Sequence, residues 1–360
     1  MVGRVPCYNP GLPSVEDESV AATLSYPFEG RPEPATVTEV APGVLWLRMP
    51  LPFALNHINL WALEDDGGWT LVDTGIADDT TRGLWEQLFS GPLAGRKVVR
   101  LIVTHFHPDH AGLAGWLTER FGVELWMTRA EWLYARMLRS DTDAAMVEGQ
   151  VAFYRRAGAS AEYVEGVRRA GPTYAKRVGA IPREYRRMRG GDEIAVGGRR
   201  WKVVIGLGHA PEHACLFCAE ENLLIGGDMV LPRITPNVSV WANEPEGNPL
   251  ADFLSSLQGI RELPAATLVL PSHNEPFRGL RERIDELGQH HEERLEKLAT
   301  LMDEPRTAME VARGLFTRPL DQHQTGFAIG ETLAHIHLLR DRGGAIREEG
   351  DDGAWRYRRI

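Results

Sequence analysis

From Val37 onward the chain breaks into short apolar runs separated by turn residues. Val44–Met49, Ile58–Leu63 and Trp69–Val72 are rich in Trp, Leu, Val and Ile and are divided by prolines and a Gly-Gly pair, which predicts strands. Leu84, Trp85 and Leu88 recur at helical spacing within Thr80–Phe89. Val98–Val103 is almost continuously apolar, the pattern of a buried strand. Leu113, Trp116, Leu117 and Phe121 then mark one face of a helix, and Val123–Met127 is a further strand. Residues 129–190 change character, with many Arg, Ala, Tyr and Met, and read as a mostly helical insertion. Strands resume at Trp201–Ile205, Cys215–Cys218, Asn222–Ile225 and Thr267–Leu270, followed by a charged helix over Arg278–Leu301. The end of the chain predicts helices at Thr307–Phe316 and Ile329–Arg340 and a hairpin around Gly350–Gly353, a small winged-helix-like module. The expected organisation is an arm at 1–36, a domain at 37–290 containing the insertion, and a C-terminal module at 291–360.

Composition narrows the class. The 360 residues are 43 % hydrophobic and 25 % charged, which fits a soluble globular chain and excludes a disordered or collagen-like one. No stretch approaches the ~20 apolar residues that span a bilayer, and the first thirty residues lack the apolar core of a signal peptide. Three cysteines cannot build a disulfide framework, so a cytoplasmic location is expected. The net charge of −10 argues against generic polyanion binding. The charge is uneven, however: Arg129 to Arg189 holds 13 Lys/Arg against 7 Asp/Glu, whereas Asp303–Ile360 holds 9 against 10 and lacks a nucleic-acid footprint.

The candidate chemistry lies just after the run Val98–Val103. His105-Phe-His107-Pro-Asp109-His110 packs three imidazoles and a carboxylate into six residues, at a strand end before a helix. Such a mixture suits zinc, iron or manganese rather than a cation that prefers oxygen alone. His105 and His107 can point the same way from an extended loop, while Asp109 and His110 begin the next turn and can reach a second ion. His209, Asp228 and His273 each follow an apolar strand by a few residues, through Gly206-Leu-Gly208, Gly226-Gly227 and Pro271-Ser272. All can therefore converge on one edge of the sheets, where rigid scaffolds place functional groups. Asp73 shares that context, before Thr74-Gly75, and is a candidate supporting partner behind the ligands. Isolated histidines such as His57 and His323 read as surface or core residues, although Asn56-His57 lies at an edge that could face the pocket. Cys215 and Cys218, three apart in a strand, point to opposite faces and read as core.

The ordered set His105-x-His107-x-Asp109-His110, His209, Asp228 and His273, with Asp73 in Leu71-Val-Asp73-Thr-Gly75, resembles the metallo-β-lactamase superfamily in its dinuclear, glyoxalase II-like form, over about Val37 to Leu287. The resemblance implies an α/β fold, an αββα sandwich of two mixed sheets with helices outside. It implies two divalent ions, zinc first with iron or manganese as alternatives: one on His105, His107 and His209, the other on Asp109, His110 and His273, with Asp228 bridging. It favours His209 over His213 as the ligand and leaves His213 as a strand-entry residue that hydrogen-bonds near the site. The chain departs from a common form in having Asn274, not Gly, after His273; Asn tolerates a left-handed backbone better than most residues.

Two ions sharing Asp228 would share a water and lower its pKa from about 15.7 towards ~7, giving a metal-bridged hydroxide that Asp109, as the catalytic residue, can orient. The expected activity is metal-dependent hydrolysis of a thioester of the glutathione or coenzyme A type. The insertion supplies a candidate lid, in which Arg129, Arg136 and Arg139 alternate with Trp132, Tyr134 and Met137; this suits an acyl chain on an anionic carrier, and a solvated helix face is the alternative. A lactonase acting on acyl-homoserine lactones, an endoribonuclease and an iron-dependent persulfide dioxygenase are competing activities. A structural metal site with a docking or dimerising tail is the non-catalytic reading. The flavodiiron branch is disfavoured, since it has Glu where this chain has His107. The expected partner is a small, anionic substrate, with no membrane or nucleic acid and a homodimer as the candidate assembly.

Overall fold

A computed structural model describes residues 24–53 and 55–360. Strands β1 (Thr38–Ala41), β2 (Val44–Pro50), β3 (His57–Asp65) and β4 (Gly68–Val72) form an antiparallel meander. Helix α1 (Asp79–Ser90) then crosses to β5 (Lys97–Ile102), which runs parallel to β4. Next come α2 (Pro108–Ala111), α3 (Ala114–Phe121), β6 (Leu125–Met127), α4 (Arg129–Ser140), α5 (Ala144–Arg156) and α6 (Ala161–Ala170). A single 3-10 turn at Tyr174–Lys176 leads to β7 (Arg186–Arg187), which closes a sheet of order β1-β2-β3-β4-β5-β6-β7. The second sheet has the order β12-β11-β10-β9-β8, from β8 (Glu193–Val196), β9 (Arg199–Gly206), β10 (His213–Cys218), β11 (Leu223–Gly227), then α7 (Pro249–Arg261) and β12 (Leu268–Pro271). Helix α8 (Leu280–Thr300), β13 (Arg306–Thr307), α9 (Ala308–Leu315), α10 (Gln322–Asp341), β14 (Ala345–Glu349) and β15 (Trp355–Arg359) complete the chain, with a small sheet of order β13-β15-β14.

Side chains alternate between the two faces of each strand, and this alternation builds the layers. Trp46, Trp61, Val72 and Ile102 of the first sheet pack against Trp201, Leu216, Ile225 and Leu270 of the second. Their neighbours Leu47, Leu60, Leu71 and Leu101 face outward onto Trp85, Leu88 and Leu117 of the flanking helices. On the far side Phe217, Leu224 and Val269 face Phe253, Leu257 and Ile284. The result is the αββα sandwich that the family resemblance implies. Trp46 and Trp61 are fully buried between the sheets and stack at 6.3 Å, so truncating either to Ala would cost about 3–5 kcal/mol. Cys215 and Cys218 divide as the strand period requires, Cys215 on the outer face and Cys218 between the sheets.

The differences from expectation have local causes. Helix α10 begins at Gln322, seven residues before the expected Ile329, because Asp321 and Gln324 form a capping box there. The apolar spacing gave no hint, since the first turn is polar. Helix α7 is additional; Asn248 caps it, Pro249 occupies its first position, and Leu250, Phe253, Leu257 and Ile260 form its buried face. The insertion ends in an irregular stretch and the short strand β7, which adds an edge to the first sheet. Helix α8 runs unbroken through position 290, the expected start of the C-terminal module, and Ile329, Leu333 and Ile336 of α10 share one core with Phe253 and Ile284. The helices and three-stranded sheet of the tail pack on the second sheet's helical layer. Of the N-terminal arm, the part before residue 24 lies outside the described residues; Ser25 pairs by backbone with Arg278. Among the described residues no helix is long and apolar enough to cross a membrane.

Candidate metal centre

The parallel pairing of β4 and β5 brings their ends to the same edge, and the chain continues from β5 through Thr104 into His105. Asp73, just past β4, adopts a left-handed backbone with φ +64°. There its carboxylate accepts from Thr104 N at 2.8 Å, from Thr104 Oγ1 at 2.9 Å and from His110 Nδ1 at 2.8 Å. Because the one hydroxyl proton of Thr104 goes to Asp73, the 3.0 Å contact with His105 Nδ1 must be donated by the imidazole. Both rings are thereby turned so that Nε2 faces the cleft.

The opposing sheet supplies its groups from three strand ends. His209 follows β9 and donates Nδ1–H to Asn237 O at 2.8 Å. His273 follows β12 and donates Nδ1–H to His57 O at 2.8 Å. Asp228 follows β11, and its backbone N–H donates to His213 Nε2 at 3.2 Å. His213 is thus spent on holding Asp228. Gly227 makes room for that imidazole: it has φ +53°, and a Cβ there would lie 2.3 Å from His213 Nε2. Asn274 takes φ +66°, the left-handed conformation that Asn tolerates, and its N–H donates to His57 Nε2 at 2.8 Å.

The seven side chains form two adjoining groups positioned to hold metal ions: His105, His107, His209 and Asp228, and beside them Asp109, His110 and His273. Asp228 faces both. Its Oδ2 is 3.5 Å from His209 Nε2, while its Oδ1 is 3.5 Å from His110 Nε2 and 3.4 Å from His273 Nε2. Asp109 Oδ2 lies 3.6 Å from His273 Nε2 and 3.8 Å from His110 Nε2. These spacings exceed direct hydrogen bonds. They suit donors arranged around a common ion, since tetrahedral bonds of ~2.1 Å put ligand atoms about 3.4 Å apart. His105 Nε2 and His209 Nε2, both bearing lone pairs, face each other at 3.3 Å, an arrangement that a cation between them relieves. Among the described residues His110 Nε2 and Asp228 Oδ1 are buried without hydrogen-bond partners, which is the signature of groups reserved for something else. The donor set therefore fits divalent metal.

Electrostatics separates the two groups. Burial, reinforced by the surrounding imidazoles, holds His105 and His107 well below the usual histidine range, so both are neutral donors. Burial works the same way on His110, but Asp73, Asp109 and Asp228 overcome it and raise that ring well above the usual range. Three carboxylates surround His110, whereas none offsets burial at His105.

Comparison with known proteins agrees with this arrangement. The metallo-β-lactamase superfamily matches residues 55–273, and the metallo-β-lactamase-like C-terminal domain matches 295–360. The chain belongs to the metallo-β-lactamase superfamily. The crystal structure of a β-lactamase domain protein from Burkholderia ambifaria is similar, with 46 % identity and a TM-score of 0.86 over 95 % of this chain and 99 % of that one. A probable metallo-hydrolase of Bacillus subtilis (strain 168) is 25 % identical over 306 residues, 82 % of this chain and 92 % of its own length. An acyl-coenzyme A thioesterase of Gallus gallus is 25 % identical over 246 residues, 65 % of this chain and 79 % of that protein.

Several residues that support this metallo-β-lactamase site carry no sequence motif. Glu131 of α4 is fully buried and accepts from Phe106 N at 2.9 Å and Glu212 N at 2.6 Å, tying the histidine loop to the start of β10. Burial pushes its carboxyl up to about 8 despite those bonds. Asn59 of β3 donates Nδ2–H to Pro271 O at 2.9 Å and Asn274 O at 2.7 Å, bracing the His273 loop from the opposite sheet. Its one sequence signal is a polar residue inside the apolar run Ile58–Leu63. The loop behind His209 is braced by the C-terminal segment: Val240 N donates to Gly330 O of α10 at 3.1 Å, and a Cβ at Gly330 would fall 2.8 Å from Ser239 Cβ. His337 Nδ1 adds a bond to Gly247 O at 2.7 Å. The candidate lid residues are engaged differently. Trp132, Arg136 and Arg139 bond to the carbonyls of Pro182, Ile181 and Gly179, and Arg129 is exposed. Tyr134 stands beside the metal loop, its ring centroid 5.5 Å from that of Phe106.

Proposed function

We propose that the protein is a dinuclear metallohydrolase, with zinc in both sites, that cleaves thioesters of the glutathione or coenzyme A type in the cytoplasm. The observation that carries this reading is Asp228, with one carboxylate oxygen toward each of the two donor groups. His105, His107 and His209 would hold one ion and Asp109, His110 and His273 the other. Bound divalent ions supply Lewis acidity and bring the pKa of water towards neutrality.

The chain's own groups do the rest. The Asp109 side chain is 18 % exposed against 9 % for Asp228, so it is the carboxylate that reaches the open side of the cleft. There it accepts a hydrogen bond from the attacking water and aims it at the substrate carbonyl. Asp73 and the carbonyls of Asn237 and His57 keep the imidazoles in one tautomer through turnover. The similarity to an acyl-coenzyme A thioesterase supports a thioester over a lactone, and the free thiols of Cys215 and Cys218, one on each face of β10, suit a reducing compartment.

The test is metal quantification on the purified protein together with a panel of S-lactoylglutathione, acyl-coenzyme A and acyl-homoserine lactone. The expected result is two equivalents of zinc per chain and turnover of a thioester. Ring opening without thioester cleavage overturns the substrate class, and oxygen uptake by an iron-loaded protein overturns hydrolysis.

A further inference from the structure

The segment from Tyr174 to Gly179 is fastened to the metal loop. Tyr174 Oη donates to Phe106 O, between His105 and His107, at 2.6 Å. Ala77 N donates to Arg177 O at 3.0 Å, and Gly179 N donates to Gly112 O, just beyond the helix that carries Asp109 and His110, at 2.9 Å. The backbone of Arg177 is therefore fixed relative to the metal centre. Its half-buried guanidinium lies over the ring of Phe53, with Cζ 4.6 Å from the centroid. Beyond Phe53 stands His323, in the first turn of α10, with ring centroids 6.1 Å apart.

Arg177 combines half-burial and a seat on an aromatic ring with a guanidinium that no described protein group uses. Arg136, Arg139 and Arg168 are all bonded to backbone carbonyls or carboxylates. Among the described residues Arg177 has no ion pair and no side-chain hydrogen bond; burial disfavours its charge, and the carboxylate of Asp109 is the counter-charge that reaches it. A cation withdrawn from water without a partner is costly unless something completes it. A guanidinium already oriented on an aromatic face is prepared for a planar, two-bond contact with a carboxylate or phosphate.

We propose that Arg177, held on Phe53 between the insertion and α10, is a specificity-determining residue that pairs with an anionic group on the carrier half of the substrate. This rests on the thioesterase reading for the identity of the carrier, while the subsite itself rests on Arg177 and its surroundings. It also moves the anion contact from Arg136 and Arg139 of α4, which are bonded to backbone carbonyls, to a residue with no motif around it.

The experiment uses zinc-loaded protein and calorimetric binding of S-methylglutathione and S-methyl-coenzyme A, thioethers with no bond to hydrolyse and no thiol to bind metal. S-methyl-N-acetylcysteamine is the uncharged control. At least one charged thioether is expected to bind the wild type, with the responsive one distinguishing a carboxylate from a phosphate. Arg177→Met should weaken it about tenfold to a hundredfold, Arg177→Lys should recover part of the loss, and the uncharged probe should treat all three proteins alike. Equal affinity for wild type and Arg177→Met, absence of binding by both charged probes, or a Lys variant as weak as the Met variant overturns the assignment. Arg177-dependent binding in a protein that cleaves no thioester leaves the subsite standing and removes the reaction; thioester turnover indifferent to Arg177 does the reverse.

Discussion

Half of the metal centre comes from six consecutive residues after β5, and the other half from three separate strand ends in the opposing sheet. The two halves are also held by different chemistry. His105 and His110 are oriented by side chains, the carboxylate of Asp73 working directly and through Thr104, and their loop is tied down by Glu131. His209 and His273 are oriented by the backbone carbonyls of Asn237 and His57. A carbonyl survives any substitution of its own residue, whereas a carboxylate does not. The contiguous half should therefore be the fragile one, and the dispersed half should fail mainly where backbone conformation is altered.

Four substitutions test that contrast, in descending order of effect. Asp228→Ala removes the side chain of the dispersed half that faces both donor groups; metal content should fall by at least one equivalent per chain and turnover by on the order of 10³, and retention of both would overturn the bridging role. Asp73→Asn strikes the fragile half without touching a donor atom, and chelator competition should show metal held about 10–100-fold more weakly. Gly227→Ala distorts the dispersed half through its backbone, forcing a Cβ against His213 at a left-handed residue; thermal or denaturant unfolding should register a loss of about 1–3 kcal/mol. Asn237→Ala leaves the carbonyl that His209 uses in place, so metal affinity should stay within about threefold of wild type. An Asn237→Ala defect as large as that of Asp73→Asn would erase the distinction between the halves.

What the sequence discloses follows the same division. The run His105 to His110 is legible because its chemistry is local, and His209, Asp228 and His273 are legible because each ends an apolar strand and follows a short turn. The side-chain braces are not. Glu131 lies 25 residues from Phe106 and 81 from Glu212, and in the sequence it is an ordinary acid in a helix's first turn. Asn59 reaches a loop 215 residues away. Arg177 escaped notice among thirteen basic residues because its seat on Phe53 and its backbone tie to Ala77 are tertiary and leave no trace in the local sequence. The strands were legible from patterning and their sandwich only through the family resemblance that the ligand motif carries, whereas the early start of α10 was hidden because its capping residues precede any apolar periodicity.

The contact between α10 and the loop behind Asp228 bears on how this chain tolerates rearrangement. Gly330 admits the backbone at Ser239 and Val240, and two residues before Ser239 is the carbonyl that sets the tautomer of His209. The last seventy residues consequently act as a buttress for a ligand more than a hundred residues upstream. Grafting a relative's C-terminus onto this sandwich, or ending the gene at residue 290, would reset the aim of His209 unless the graft preserved a helix with glycine at that one contact.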